Sequence, residues 1–352
     1  MSLLDINDLG VRYSTDTGEV RAVDDVSFRI QEGETFGLVG ESGCGKTTAA
    51  RALIGLLDDN GEVTGGSVRK DGRDLTAVSD EELRATRWNE IATIPQNVMN
   101  SLNPVETVGS QILDVIQLHT DRSREEARDH AEDLFEQVGL TPDRMADYPH
   151  EFSGGMLQRA VIAMAMSCDP DLIIADEPTT ALDVTVEGQI LEMVRDLQEK
   201  YDTSFIWVTH DMSVVAEICD RVNVMYLGEI IEHAEVDDLF YETKHPYTQA
   251  LLDSMPRPDR TVHELDPIKG VMPEAIDPPS GCRFHSRCPD AREVCREVHP
   301  EPRDLSDEGE ETHSAACVKY DAFEVGYEES RPIETEATGG FSAGLTETED
   351  GE

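Results

Sequence analysis

One octapeptide limits what the rest of the chain can become. Residues 40–47 read Gly-Glu-Ser-Gly-Cys-Gly-Lys-Thr, after the continuous apolar run Thr35-Phe36-Gly37-Leu38-Val39 and before a helical pattern over 47–57. The pattern G-x-x-x-x-G-K-[ST] in a strand–loop–helix setting is a phosphate cradle. Its glycines let successive backbone N–H groups turn inward, and the helix start adds the positive end of its dipole. Gly40, Ser42, Gly43, Cys44, Gly45, Lys46, Thr47 and Thr48 are the candidate contact positions. Lys46 is read as a mobile point charge for phosphate oxygens, and the Thr47 hydroxyl suits Mg²⁺.

Five further pieces complete a nucleotide site. Asp176 closes a second apolar run, Leu172-Ile173-Ile174-Ala175, where a carboxylate can hold Mg²⁺ through water. Glu177 follows it, placed to take a proton from an attacking water. His210 ends a third apolar run over 205–208, at the edge of the sheet where ligands sit, and Gln96 offers an amide to metal and water. Ser153-Gly154-Gly155 opens a helix whose first-turn N–H groups lack partners, with Gln158 one turn on. That is a second anion site with no base beside it. Each motif occurs once and no internal repeat is present, so Ser153, Gly154 and Gly155 are expected to complete the ATP site of another chain.

Alternation at Val26, Phe28 and Ile30 predicts strands before the loop, and Ser79 with Glu82 predicts a capping-box helix start. Between Val105 and Pro170 the chain turns mainly helical: Val108, Ile112, Val115 and Ile116 share one face, and Ala127, Ala131, Leu134 and Val138 another. A hairpin is expected to turn at Leu227-Gly228. Six prolines from Pro256 to Pro279 mark an extended segment leading to Cys282, Cys288, Cys295 and Cys317. From about Asp321 the chain holds Glu, Thr and Gly with one basic residue, Arg331, and is expected to be disordered.

The 352 residues can bury a full core and more than one domain. Their net charge of −45 is unusual. Such self-repulsion opposes compaction in dilute buffer. In molar salt, where the Debye length is about 3 Å, it is largely screened. With only six lysines, the composition resembles proteins of extreme halophiles, and loss of fold at low salt is expected. It argues against a nucleic-acid surface, which needs clustered Lys and Arg. The first residues lack the pattern of a signal peptide, and the longest apolar stretch, 160–166, is too short to span a bilayer. The chain is therefore read as cytoplasmic. Its seven cysteines should then be reduced thiols or metal ligands.

The ordered set of motifs resembles the nucleotide-binding subunits of ABC transporters over about residues 3–240. The pieces Ser101-Leu102-Asn103-Pro104, Glu177-Pro178-Thr179-Thr180-Ala181-Leu182-Asp183-Val184-Thr185 and Lys244-His245-Pro246-Tyr247-Thr248 are similar to the dipeptide/oligopeptide importer branch. Leu157, where that branch carries a polar or basic residue, and Gly188 depart from it. The resemblance implies an α/β P-loop NTPase fold: a RecA-like core, an antiparallel β subdomain, an inserted helical subdomain and a small cysteine-containing extension. The implied domains are 1–253 for the nucleotide-binding domain (helical subdomain about 101–170), 254–320 for the extension and 321–352 for an acidic tail. Tyr13 would stack on adenine, Gln96 would couple ATP to the membrane subunit, and Asp183 would bridge two subunits.

The partners implied are a second ATPase subunit (a copy or a paralogue), two transmembrane permease subunits and, indirectly, an external solute-binding protein. All this would work at the cytoplasmic face of the membrane. The segment Pro278-Pro279-Ser280-Gly281-Cys282-Arg283-Phe284 resembles the branch's C-terminal extension, which implies a [4Fe–4S] cluster on Cys282, Cys288, Cys295 and Cys317. Zinc and free thiols are the alternatives there. Cys168 and Cys219 read as core packing, and Cys44 as a tolerant loop position. The expected function is ATP hydrolysis that powers peptide import. An importer of nickel or another small solute is the alternative, with a non-transport ABC ATPase behind it.

Overall fold

The computed structural model describes residues 2–180, 182–255, 268–306, 312–321 and 325–337. It opens with a long antiparallel hairpin, β1 (Ser2–Thr15) and β2 (Gly18–Gln31). Leu4, Ile6, Leu9 and Val11 of β1, and Val23, Val26, Phe28 and Ile30 of β2, are all buried. The register slips between Ile6 and Leu9, where Asp8 turns left-handed (φ 48°), as a bulge requires. β3 (Thr35–Val39) is buried at every residue, the mark of a strand covered on both faces. α1 (Lys46–Leu53) starts on the phosphate loop itself. The helical pattern runs on to 57, but the helix stops early because Ile54 leaves helical geometry and Gly55 turns left-handed, φ 59°.

β4 (Gly61–Lys70) and β5 (Arg73–Asp74) complete a four-stranded antiparallel sheet in the order β2-β1-β4-β5. α2 (Asp80–Thr86) opens with the expected capping box: Ser79 accepts from the Glu82 N–H while the Glu82 carboxylate accepts from the Ser79 N–H. After β6 (Ile91–Ile94) comes the helical insert of α3 (Val108–His119), α4 (Arg124–Gln137) and α5 (Gly154–Met166). Val108, Ile112 and Ile116 join Ala127, Ala131 and Leu134 in one core, all six without exposed surface. Val115, placed on the same face by its spacing, packs at the edge of that core.

The second α/β stretch comprises β7 (Leu172–Asp176), α6 (Val184–Tyr201), β8 (Ser204–Thr209), α7 (Met212–Ile218), β9 (Arg221–Tyr226) and β10 (Glu229–Glu235). Leu227 and Gly228 turn the β9–β10 hairpin with φ of 47° and 86°, the geometry that two-residue turns favour. Then follow α8 (Val236–Tyr241), α9 (Pro246–Asp253), β11 (Arg303–Asp304) and β12 (Ser314–Ala315). The main sheet runs β11-β12-β10-β9-β3-β8-β7-β6, with β6, β7, β8, β3 and β9 parallel. Val39 pairs with Thr209, and Asp176 with Val208. The phosphate loop, Glu177 and His210 therefore leave the sheet side by side at its carboxyl edge, where open α/β sheets bind ligands.

The C-terminal extension is woven into this core. β12 pairs with β10 through Ser314–His233 and Ala315–Glu232. Buried Arg283 reaches Asp24 of β2 and Glu229 of β10. Phe284 packs edge-on against Tyr226 and Tyr247. Residues 325–337, expected to be part of a disordered tail, instead pack across the cysteine segment. The Glu293 N–H donates to the Arg331 carbonyl, the Ile333 N–H to Ala291 and the Glu336 N–H to Ser286, and the Tyr327 ring is buried. A composition rich in Glu and Thr hid those three backbone pairings. Pro256, Pro258 and Pro267, together with residues 322–324 and 338–352 of the expected tail, lie outside the described residues. No helix among the described residues is long and apolar enough to cross a membrane.

Candidate active site

The phosphate loop is held by geometry that only glycine permits. Gly45 adopts φ 111°, and a Cβ there would sit 2.2 Å from the Ala22 carbonyl oxygen. Gly45 also caps α1 without a side-chain partner, so the first-turn N–H groups remain available to an anion. Ser42 and Gly43 face solvent, while Thr47 and Thr48 are half-buried. Cys44 does not fit the reading of a tolerant loop position. Its side chain is buried, with burial pushing the thiol up, and only its backbone is left to meet a ligand.

Lys46 is also buried. Its Nζ donates to the carbonyls of Gly40 at 2.8 Å and Glu41 at 2.9 Å. The expected mobile charge is thus folded back onto its own loop. Around it the acidic residues form one cluster. The Thr47 hydroxyl donates to Asp176 Oδ1 at 2.9 Å. Burial pushes the Asp176 carboxyl up; the Thr47 bond pulls it back, and the charge of Glu177 adds to the rise.

Glu177 is the node of that cluster. Gln96 Nε2 donates to its Oε2 at 2.8 Å, the Thr180 hydroxyl donates to the same oxygen at 3.1 Å, and His210 Nδ1 lies 3.1 Å from its Oε1. Burial pushes this carboxyl up as well, but the bonds and charge from His210, with the Thr180 bond, hold it below its ordinary value. Its backbone is left-handed, φ 46°, fixed by an N–H bond to the Val208 carbonyl. Strain of this kind costs about 1–3 kcal/mol and collects at functional sites. Thr180, quoted in the sequence motif without a role, is the partner that reading missed; its place three residues after Glu177 was the available signal.

The serine–glycine tip is built differently. Ser153 caps α5, accepting from the Met156 N–H at 3.3 Å, and Ser153 and Gly154 face solvent. No hydrogen bond among the described residues joins the tip to the Glu177 cluster. Gln158 departs from the expectation that it would meet a partner's nucleotide. It is buried in its own subunit, and its Nε2 has no partner among the described residues. The reason is that α5 is covered on nearly every side after its first turn, with Leu157 and all of 160–166 buried. Asp183 is exposed at the start of α6, where its Oδ1 accepts from the N–H groups of Thr185 and Val186. Ala181 lies outside the described residues. Tyr13, on β1, is half-buried with its ring against the backbone of Gly61.

Cys282, Cys288, Cys295 and Cys317 line one cavity with His245, Phe284 and Tyr327. Burial pushes all four thiols up, Cys288 to about 12 and Cys317 to about 11. No group of three or more His, Cys, Asp or Glu among the described residues could hold a metal ion. The four thiols therefore share a cavity without closing on one point. Cys219 packs against two of the apolar cores, as expected, whereas Cys168 is buried beside the Ser167 hydroxyl and the Val115 carbonyl rather than in an apolar core. Sequence reasoning also missed how the extension meets the nucleotide loop: Met272 lies against Gly43, and the Ala275 carbonyl accepts from the Arg21 N–H. Nothing in the local pattern of 268–277 signals this.

Comparison with known proteins agrees with this geometry. Residues 23–180 match the ABC transporter family, and residues 231–295 match the oligopeptide/dipeptide transporter C-terminal region. The chain is 45% identical to the dipeptide transport ATP-binding protein DppD of Bacillus subtilis over 91% of its own length and 95% of that protein. It is 46% identical to the oligopeptide transport ATP-binding protein OppD of Salmonella typhimurium, over 85% and 89% of the two chains. Among solved structures, the dimeric post-hydrolysis state of the ATP-binding cassette MJ0796, bound to ADP and Pi, superposes with a TM-score of 0.60. That match has 26% identity and covers 66% of this chain and 98% of the other.

Proposed function

The chain belongs to the ABC transporter family, among the ATP-binding proteins of dipeptide and oligopeptide transport, and we propose that it is the ATP-hydrolysing subunit of a peptide importer. Glu177 carries this reading. One carboxylate, held by Gln96, Thr180 and His210 and adjacent to the Thr47–Asp176 pair, sits at the sheet edge beside a phosphate loop. In this scheme Lys46 and the loop N–H groups bind the phosphates. Thr47, Asp176 and Gln96 hold Mg²⁺, and their oxygen donors suit a hard cation that keeps several waters. A Mg²⁺ held there would supply positive charge to offset that of the phosphates. Glu177, kept ionised by its partners, accepts the proton of the attacking water, and His210 orients the γ-phosphate. Replacing Glu177 by Gln should lower turnover about 10³-fold with ATP affinity retained. Unchanged turnover would remove Glu177 from that role.

Two such subunits close over two nucleotides. The exposed Ser153–Gly154 tip of one completes the site of the other, and Asp183 lies between them. Tyr13 stacks on adenine. The assembly includes two permease subunits and receives its solute from an external binding protein, with this chain peripheral to the membrane on its cytoplasmic side. Specificity for peptides is supported by the named relatives, nickel or another small solute being the second reading.

The cysteine cavity is assigned a [4Fe–4S] cluster. Three buried thiols and the half-buried Cys317 around one cavity support it, because each sulfur of a four-iron cluster binds a different iron and need not converge with the others. Iron and sulfide content of anaerobically purified protein tests this: iron-free, zinc-loaded protein would replace the assignment, and metal-free protein would end it. The acidic surface is read as adaptation to high salt, to be checked by unfolding on dialysis.

A further inference from the structure

We propose that Arg287, in the C-terminal extension, is a positioning residue of the phosphate loop. Its side chain is fully buried, and its two terminal nitrogens fork onto the two carboxylate oxygens of Glu41 at 2.7 and 3.0 Å. Its Nε donates to the Lys269 carbonyl at 2.9 Å, and the guanidinium lies over the Tyr226 and Phe284 rings. Five contacts thus fix one planar group in one orientation, and bidentate pairing of this type carries directional specificity that a lysine cannot supply.

Glu41 is the second residue of the loop, and its backbone is held at both ends. Its N–H donates to the Tyr247 hydroxyl at 2.9 Å, and its carbonyl accepts from Lys46 and from the Cys44 N–H. Its side chain is the part that reaches out of the loop into the extension. Were this only an attachment point, the extension would not need it. Arg283 already binds Asp24 and Glu229, and Phe284 already fills the aromatic cluster of Tyr226 and Tyr247.

The charge argument goes further. An unpaired Glu41 carboxylate would stand in the loop that receives a polyphosphate and would repel it. It would also offer Lys46, a few atoms away, a competing counter-ion. Arg287 cancels that charge and holds the carboxylate off Lys46, so the ammonium is left on two neutral carbonyls that phosphate can displace. The role concerns ATP binding rather than the bond-breaking step. It rests on the ATPase reading alone and does not depend on what fills the cysteine cavity.

The test uses the full chain in molar KCl, with steady-state ATP hydrolysis by wild type, Arg287→Lys, Arg287→Met and Arg287→Met/Glu41→Gln. Arg287→Lys keeps the charge and loses the fork; it should raise the KM for ATP about tenfold with kcat within about twofold. Arg287→Met should raise KM further, and adding Glu41→Gln should recover most of that rise, since the offending carboxylate is then neutral. A merely structural loss would not be rescued by a second substitution. If Arg287→Met does not fold, the KM-against-kcat split in Arg287→Lys decides. A wild-type KM in Arg287→Lys, or a double variant as impaired as Arg287→Met, overturns the proposal. A wild-type chain that hydrolyses no ATP would instead sink the ATPase reading.

Discussion

The Glu177 cluster and the Ser153 tip, both proposed to act on phosphate, are built on opposite plans. In the cluster every acidic or amide group is spent on a neighbour in the same chain: Thr47 on Asp176, and Gln96, Thr180 and His210 on Glu177. At the tip the Ser153 side chain has one weak bond among the described residues, from the Met156 N–H, and the serine and first glycine face solvent. A preorganised set of groups holds charge where chemistry will need it. An exposed helix start with free N–H groups holds nothing until an anion comes to it. The first design suits hydrolysis within a subunit, and the second suits recognition across a subunit boundary.

That contrast breaks most sharply at Asp176. Its folded-state pKa is raised by burial, so the folded chain binds a proton more readily there than the unfolded chain does. The favourable contribution is therefore present below the ordinary carboxylate pKa and is lost as pH rises through the raised one. At neutral pH the ionised side chain burdens the nucleotide-free protein. Asp176→Asn should lower Mg²⁺-dependent hydrolysis about 10³-fold, yet raise the thermal midpoint of the nucleotide-free chain at pH 7, with the gain vanishing toward pH 4. A variant both inactive and less stable at pH 7 would mean that Asp176 is a structural residue and not a strained functional one.

Gly154 gives the next largest effect, from the other side. A Cβ added there meets nothing nearer than Leu182 Cδ2 at 3.9 Å, whereas one on Gly155 would strike Val186 Cγ1 at 2.7 Å. Gly154→Val should keep the wild-type midpoint and lower turnover about 100-fold, because bulk at the tip blocks only an approaching partner. Gly155→Val should destabilise the subunit itself by about 1–3 kcal/mol, through overpacking against α6. Full activity in Gly154→Val would break the idea that the tip serves another chain. Mixing Gly154→Val with Glu177→Gln subunits sharpens it: a dimer of the two retains one intact composite site.

The two regions were unequally legible in the sequence, for a physical reason. Strand ends, the loop glycines, the Ser79–Glu82 capping box and the Leu227-Gly228 turn are local signals, fixed by residues a few positions apart. Each is where the pattern puts it. What the pattern left out is pairing over distance. Arg287 lies 246 residues from Glu41, and β12 joins β10 across 81 residues, His313 meeting Glu232. Periodicity carries no information about which buried charge will meet which. The same limit explains the tail at 325–337, whose backbone bonds do not depend on side-chain composition. It also explains Lys46: the motif suggests a phosphate-binding role and says nothing of the Gly40 and Glu41 carbonyls that it holds. Burial of Gln158 has a different cause: from Leu157 onward α5 is covered on nearly all sides, as the apolar run 160–166 already indicated.

The smallest predicted effect separates a cap from a contact. Ser123 and Ser153 both cap helices of the insert, each accepting at 3.3 Å from the N–H three residues on. Ser123 belongs to a capping box, its own N–H returning to Glu126 at 2.8 Å. Ser153 has no such return bond, since Met156 occupies the third position of its helix. By capping alone, Ser123→Ala should cost about 1 kcal/mol and Ser153→Ala somewhat less. If the tip exists to meet nucleotide, turnover should follow the reverse order. Ser123→Ala should hydrolyse ATP like wild type, while Ser153→Ala should lose about tenfold, the worth of one hydrogen bond to a charged oxygen. Measuring the unfolding midpoint and turnover on the same two proteins places each serine on one side of the comparison. Parallel losses in both quantities would mean that the exposed serine of α5 is only a cap.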